Sequence, residues 1–360
     1  MKILFARRGY SSSGGAERYL IRLVSGLRDR GIETTLLNDG PWPAEKWPGN
    51  DLVNLPSGSP AQFSAAVTRE RQKHPGALLF SFERIPCSNV FRAGDGVHAA
   101  YLERLSGECS RFANWFRRTR RRHRETLTLE RQLFTENPAL HIICNSNLVA
   151  RELKTLFSFP EERLTTIYNG FTPKPWQADE RETARQEIRT SLGIPQNAPI
   201  VLFVGSGWKR KGVEPLAEAF RLLRNQEAHL VIVGKGRLKQ ALPPRTHLVG
   251  PVDDPRPYFL AADLFALPTL YDPFSNACLE AAAFGLPVLT TDGNGFGEAI
   301  GRFPGTGEVI PVPRRPQLWA EAIDTWVGKP HPTGALRKLV DAHTIDRNVE
   351  ETIALLTKLI

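Results

Sequence analysis

What this chain lacks narrows its reading first. Its four cysteines, Cys87, Cys109, Cys144 and Cys278, form no Cys-x-x-Cys pair, so neither a cysteine zinc site nor a disulfide framework is indicated, and buried thiols are the simplest reading. No apolar run approaches the roughly 18–20 residues that a membrane span needs, and the opening MKILFA is far too short for the apolar region of a signal peptide. These absences predict a cytoplasmic protein. Acid is missing from one segment in particular: CSRFANWFRRTRRRHR (109–124) holds seven arginines and no Asp or Glu. Setting those seven aside leaves 40 of the 47 lysines and arginines against 38 acidic residues, so the formal net charge of +9 is a local feature of a nearly neutral chain.

A length of 360 residues exceeds what one core usually serves, which favours two domains. KILFA (2–6) reads as a strand, RRGYSSSGGAE as a glycine-rich loop, and Ala16, Tyr19, Leu20, Leu23, Val24 and Leu27 as one face of a helix. ETTLLN, ALLFSF (77–82) and HIICNS (141–146) continue the strand series. Alternating strands and helices imply a parallel sheet covered on both faces. Asn169-Gly170 and the prolines that follow read as a connector. A second series then begins with IVLFVG (200–205), HLVIVG (229–234), HLVG (247–250), DLFALP (263–268) and LPVLTT (286–291). The expectation is an α/β protein of two Rossmann-like doubly wound domains, 1–170 and 171–343, with a closing helix at about 344–360 crossing back to the first. A ligand would then sit in a central crevice at the carboxyl ends of the strands.

Three segments carry candidate chemistry. In YDPFSNACLEAAAFGLPVLTT (271–291), a short helix starts at Ser275 or Asn276, and its amino end suits a diphosphate. Asn276 and Glu280 share a face with a rise of roughly 6 Å, which would put the carboxylate at a ribose. Asp272-Pro273 is equally a good cap and first-turn pair. In VGSGWKRKG (204–212), Lys209, Arg210 and Lys211 follow a strand and precede a helix, where they could neutralise the same diphosphate or form a solvated basic turn. The Gly-Lys-Ser/Thr ending of a P-loop is missing. In SSSGGAER, Gly14 and Gly15 permit close backbone approach, yet the Gly-x-Gly-x-x-Gly spacing is absent and a plain tight turn serves as well. RAGDGVHAAYLER (92–104) sets Asp95 and His98 three apart in a glycine-flanked loop, where they could bond sugar hydroxyls, although a lone histidine is more often structural. Asp253-Asp254 lies among prolines and reads as loop, so no metal site is predicted.

Together these pieces resemble glycosyltransferase family 4, retaining enzymes of the GT-B fold, over essentially the whole chain. The match rests on acid, seven residues, acid (Asp272 to Glu280) followed by FGLPVL, on VGSGWKRKG, on SSGGAER and on IYNGF. KRKG and the basic aromatic insert after GDGVH make the chain most similar to the lipopolysaccharide core glucosyltransferase I group. The resemblance implies that Arg210 and Lys211 bind the donor diphosphate and Glu280 the ribose. It further implies that Gly14, Gly15 and the backbone of Ser275, Asn276 and Ala277 complete the phosphate cradle. Asp95 and His98 would face the sugar or acceptor in an acceptor-binding first domain, and Asp272 would contact the donor sugar. The family's usual residue at that place is glutamate, one methylene longer. No cofactor is implied beyond a UDP-sugar, UDP-glucose by this likeness, as co-substrate, and stereochemistry would be retained without a metal.

The basic insert has its own pattern. Read as a helix, Phe112, Trp115, Phe116 and Thr119 line one largely apolar stripe, while Arg111, Arg117, Arg118, Arg120, Arg121, Arg122 and Arg124 surround it. Such a helix lies in an anionic lipid interface, so peripheral attachment to the inner membrane is predicted, with a saccharide or lipid-linked saccharide as acceptor. The opposing reading packs the stripe on the first domain. Two other functions compete: an arginine-rich nucleic-acid binder, disfavoured by the near-neutral remainder, and a GT-B nucleotide-sugar epimerase.

Overall fold

The computed structural model describes residues 2–10, 15–107, 121–172, 175–311 and 314–359. The chain forms two compact units, Met1–Gly170 with Ile345–Ile360, and Phe171–Thr344.

The first unit is built on seven strands, β1 (Lys2–Ala6), β2 (Glu33–Asn38), β3 (Asp51–Asn54), β4 (Leu78–Ser81), β5 (Val90–Ala93), β6 (His141–Cys144) and β7 (Leu164–Thr166), in the order β3-β2-β1-β4-β5-β6-β7. Every pairing is parallel, with Leu4 in register between Thr35 and Leu79. β1 explains why the sheet must be covered twice. Its side chains alternate between faces, and all four from Ile3 to Ala6 are apolar and fully buried. Ile3 and Phe5 pack with Leu20, Leu23 and Val24 of helix Gly15–Arg28 and with Val349, Ile353 and Leu356 of helix Ile345–Leu359. Leu4 and Ala6 pack with Phe63 and Val67 of helix Pro60–Arg71 on the other side. The Tyr19 hydroxyl lies 3.0 Å from Thr352 Oγ1, tying the closing helix to the first one.

The second unit carries β8 (Ile200–Val204), β9 (His229–Val233), β10 (Thr246–Gly250), β11 (Leu264–Leu267), β12 (Val288–Thr291) and β13 (Gly307–Ile310), ordered β10-β9-β8-β11-β12-β13 and parallel throughout. Both sheets are therefore doubly wound and Rossmann-like. In each the strand order reverses once, between β1 and β4 and between β8 and β11. The segments leaving β8 and β11 at their carboxyl ends, which hold Arg210, Lys211 and Asp272, consequently emerge side by side. Among the described residues no helix is long and apolar enough to cross a membrane.

Candidate functional site

The second unit's switch point gathers the charged residues. After β8 the chain makes a one-turn helix, Trp208–Lys211, anchored by the buried Trp208, whose indole N–H donates to Gly205 O at 3.1 Å. The backbone of that turn is bonded to the segment leaving β11, with Leu270 N–H donating to Arg210 O at 2.8 Å. Arg210 Nη1 donates to Tyr271 O at 2.7 Å and stands 3.7 Å from Asp272 Oδ2. Lys211 Nζ forms a direct ion pair with the same carboxylate oxygen. Both members of that pair are nearly buried, so solvent screens it less than a surface bridge. Two cations against one acid leave a local excess of positive charge. Lys209 is exposed.

Asp272 is held by its backbone. Its N–H donates to Gly293 O at 2.9 Å, and its carbonyl accepts from Gly295 N at 3.0 Å. Three residues on, Ser275 caps helix Asn276–Ala283, whose first intrahelical bond runs from Leu279 N to Ser275 O at 3.3 Å. One expectation needs correction here. The Ser275 N–H is committed to Asn294 Oδ1 at 3.1 Å, so it is not offered to a phosphate, and the helix end presents its first turn, including Ala277, instead. Glu280 is half-buried one turn beyond Asn276. Cys278 on the inner face is fully buried, and burial pushes its thiol up to about 12, so it stays protonated and unreactive. Cys144 in the first unit is held the same way, while Cys87 is half-buried.

Two contributors were not singled out in the sequence. Arg314 Nη1 lies 3.2 Å from Lys209 O and 3.3 Å from Pro268 O, straddling the segments after β8 and β11. Asn294 sits under the site, 2% exposed. An arginine between prolines and an Asn flanked by glycines (PVPRRP, DGNGF) are weak signals, since both patterns also describe ordinary loops.

In the first unit, Asp95 is exposed in the turn after β5, and His98 opens helix His98–Gly107. The structure brings His98 to other partners than Asp95. His98 Nε2 is 2.9 Å from His123 Nδ1 with the rings stacked at 5.0 Å. Its backbone N–H and that of Ala99 donate to the fully buried Glu130 carboxylate at 2.6 and 3.1 Å, and Arg84 Nε adds a third bond at 2.9 Å. That helix end thus already holds an anion. At the β1/β4 switch point Arg7 bridges Glu17 and Glu83, each at 3.1 Å, and burial pushes the Glu83 carboxyl up against the opposing pull of Arg7. Gly15 begins helix Gly15–Arg28; Gly14 lies outside the described residues. So do Arg111, Phe112, Trp115, Phe116, Arg117, Arg118 and Arg120. Arg121 and Arg122 start helix Arg121–Glu136, in which Arg124 is exposed.

A paired, partly buried cation cluster at a switch point beside a helix end has the chemistry that suits an anion on a Rossmann-like sheet, and the comparisons say which proteins share this fold. Residues 198–328 match the family model "Glycosyl transferases group 1". The chain is a glycosyltransferase of the GT-B type. It is 25% identical over 317 residues to the lipopolysaccharide glucosyltransferase WaaG of Escherichia coli K12, covering 83% of each chain. The crystal structure of WaaG, a glycosyltransferase involved in lipopolysaccharide biosynthesis, superposes with a TM-score of 0.77 at 22% identity over 99% of both chains. That of Anabaena HepE in complex with UDP and glucose gives 0.70 at 19% identity, again over 99% of both chains.

Proposed function

We propose that the chain is a retaining hexosyltransferase that moves glucose from a UDP-sugar to a lipopolysaccharide core or related lipid-linked saccharide at the cytoplasmic face of the inner membrane. One observation carries the reading. Arg210 and Lys211 converge on Asp272 beside the first turn of helix Asn276–Ala283, inside a group 1 glycosyltransferase domain. The bound UDP and glucose of HepE and the name of WaaG support the choice of donor and acceptor class.

In this reading the donor diphosphate takes charge-assisted bonds from Arg210 and Lys211 and a backbone N–H from Ala277, while Glu280 accepts from the ribose. Lys211 exchanges Asp272 for phosphate, which leaves the Asp272 carboxylate to accept from the donor sugar. Asp95 and His98 of the first unit serve the acceptor. During transfer the bond from C1 to the diphosphate oxygen breaks, and its electron pair stays on that oxygen. The acceptor oxygen bonds to C1 on the same face, and its proton passes to the departing phosphate. The negative charge that grows on the leaving group meets cations and a helix end already in position, so this route asks for no metal.

The test is thermal stabilisation by UDP, GDP and ADP and then by their sugars, because a ligand that binds only the folded state raises its apparent stability. Stabilisation by UDP and UDP-glucose is expected, with activity surviving EDTA. A protein that responds to none of these nucleotides does not have this function; activity lost to EDTA and restored by magnesium rejects the metal-free route.

A further inference from the structure

Asn294 makes every hydrogen bond its side chain can make. Oδ1 accepts from Ser275 N and from Phe296 N, both at 3.1 Å. Nδ2 donates to Thr290 Oγ1 at 2.8 Å and to Cys278 Sγ at 3.4 Å. Two backbone N–H groups facing one atom fix which end of the amide is oxygen. Thr290 Oγ1 in turn donates to Leu267 O at 3.1 Å, so the network is rooted in β11 and β12. The backbone on either side of Asn294 grips Asp272, through Gly293 O and Gly295 N. A single buried residue therefore touches both halves of the site: the loop that presents the Asp272 carboxylate to Lys211, and the cap of the helix whose first turn faces the diphosphate.

Resting on the donor reading above, we propose that Asn294 is a positioning residue, which sets the register between the Asp272 loop and the amino end of helix Asn276–Ala283 and thereby the affinity for the donor diphosphate. The physical reason is that a helix end binds an anion only when its N–H groups are aimed. Ser275 stands immediately before them and has no side-chain capping bond of its own. The Asn294 amide instead fixes the cap residue itself from across the fold, by accepting the Ser275 N–H. Without it, Ser275 N and Phe296 N lose their acceptor in a buried setting, and the loop and helix relax independently.

The experiment measures UDP binding and steady-state kinetics for wild type, Asn294→Ala, Asn294→Asp and Thr290→Val, each well below its own melting temperature. Asn294→Ala is expected to weaken UDP binding tenfold or more and to raise KM for the donor more than it lowers kcat. Thr290→Val keeps both bonds to Oδ1 and should bind UDP within about threefold of wild type, which separates positioning from general loosening of the fold. Asn294→Asp keeps the acceptor but sets a negative charge behind the diphosphate. The ratio of its Kd to that of wild type should shrink as pH falls and the carboxyl takes up a proton. If Asn294→Ala fails to fold, that pH-dependent ratio decides the matter alone, and a ratio flat with pH overturns the proposal. Normal UDP binding by a folded Asn294→Ala also overturns it while leaving the donor reading standing. A wild type that binds no UDP overturns both.

Discussion

A Cβ on Gly212 would stand 2.0 Å from the carbonyl oxygen of Pro268, and Gly212 holds φ at +87°. Two constraints, a left-handed backbone and contact with another backbone, thus meet at the residue that follows Lys211. They bring the turn after β8 against the segment after β11, which is what lets Lys211 reach Asp272. Gly212→Ala should cost about 1–3 kcal/mol for the backbone conformation alone. The clash adds to this, because a carbonyl cannot rotate away as a side chain can. Melting should fall by at least ~5 °C, and UDP stabilisation should vanish at temperatures where the variant remains folded. Calorimetry with and without UDP tests both parts; a variant that keeps its melting temperature contradicts the close approach.

The donor reading makes a paired prediction. Lys211→Ala and Glu280→Ala should each weaken UDP binding by tenfold or more while circular dichroism stays unchanged. Isothermal titration measures the loss. If both variants bind as wild type does, the site is elsewhere.

Much of the fold was legible because its strands are apolar on both faces. KILFA, IVLFV and HLVIV admit few other readings once helical periodicity lies between them. The strands not recognised in the sequence are short or carry polar residues. β3 is DLVN, polar at both ends, β5 is VFRA with the buried Arg92 inside it, β7 is LTT, and β13 is GEVI. The residues of the site could be nominated from KRKG and from the acids at 272 and 280, but their pairing could not. Lys211 and Asp272 are 61 positions apart, and they meet only because β11 lies next to β8. Strand order is a property of the whole sheet, and no local pattern encodes it. Asn294 was missed for the same reason, since its partners lie on β12, on the helix cap and in the next loop.

A buried ion pair stabilises the face of the second unit away from the site. Arg189 is fully buried, donating to Ala261 O at 2.8 Å and pairing with Asp263 Oδ2 at 3.2 Å, while the same carboxylate accepts from Ile200 N at 2.8 Å and Arg185 Nη1 at 2.8 Å. Removing Asp263 strands the fully buried Arg189 charge, at a cost of about 3–5 kcal/mol, whereas removing Arg189 leaves Asp263 paired with Arg185. Asp263→Asn should therefore lower the urea midpoint sharply, and Arg189→Met should do so less. A change under about 1 kcal/mol in both would mean that water reaches the pair.

Acid should weaken the fold through two histidines. His229 Nδ1 and His247 Nε2 are 2.9 Å apart on neighbouring strands, and both are held below the ordinary value of 6.5, by burial first and, for His229, by His247, Arg245 and Arg189. A depressed value means that the unfolded chain binds more protons. Stability is then complete above about pH 6.5 and is lost as pH falls toward the folded values. His141 and His331 are lowered as well and add to the same slope. The double variant His229→Gln, His247→Gln should show a shallower loss between pH 7 and 5 in urea titrations. An unchanged slope would locate the acid sensitivity in the other two.

The arginine segment 109–124 tests where the enzyme works. In the sequence reading, a helix here would set Phe112, Trp115 and Phe116 on one stripe, with seven arginines supplying the charge that an anionic surface attracts. At roughly 1 kcal/mol for each arginine near such a surface, the docking reading expects reversible attachment at low salt and no permanent anchoring. Wild-type protein should sediment with vesicles containing anionic lipid, and less so as salt screens the charge. Changing Arg117, Arg118, Arg120, Arg121 and Arg122 to glutamine should abolish sedimentation, while UDP binding, which the donor reading assigns to Arg210, Lys211 and Glu280 of the other unit, should stay as it was. Trp115→Ala should reduce attachment to neutral and anionic vesicles alike, because it removes the apolar part of the contact. If wild type ignores anionic vesicles at low salt, the docking assignment fails and the aromatic stripe belongs to the core of the first unit. In that case Trp115→Ala would lower the melting temperature instead.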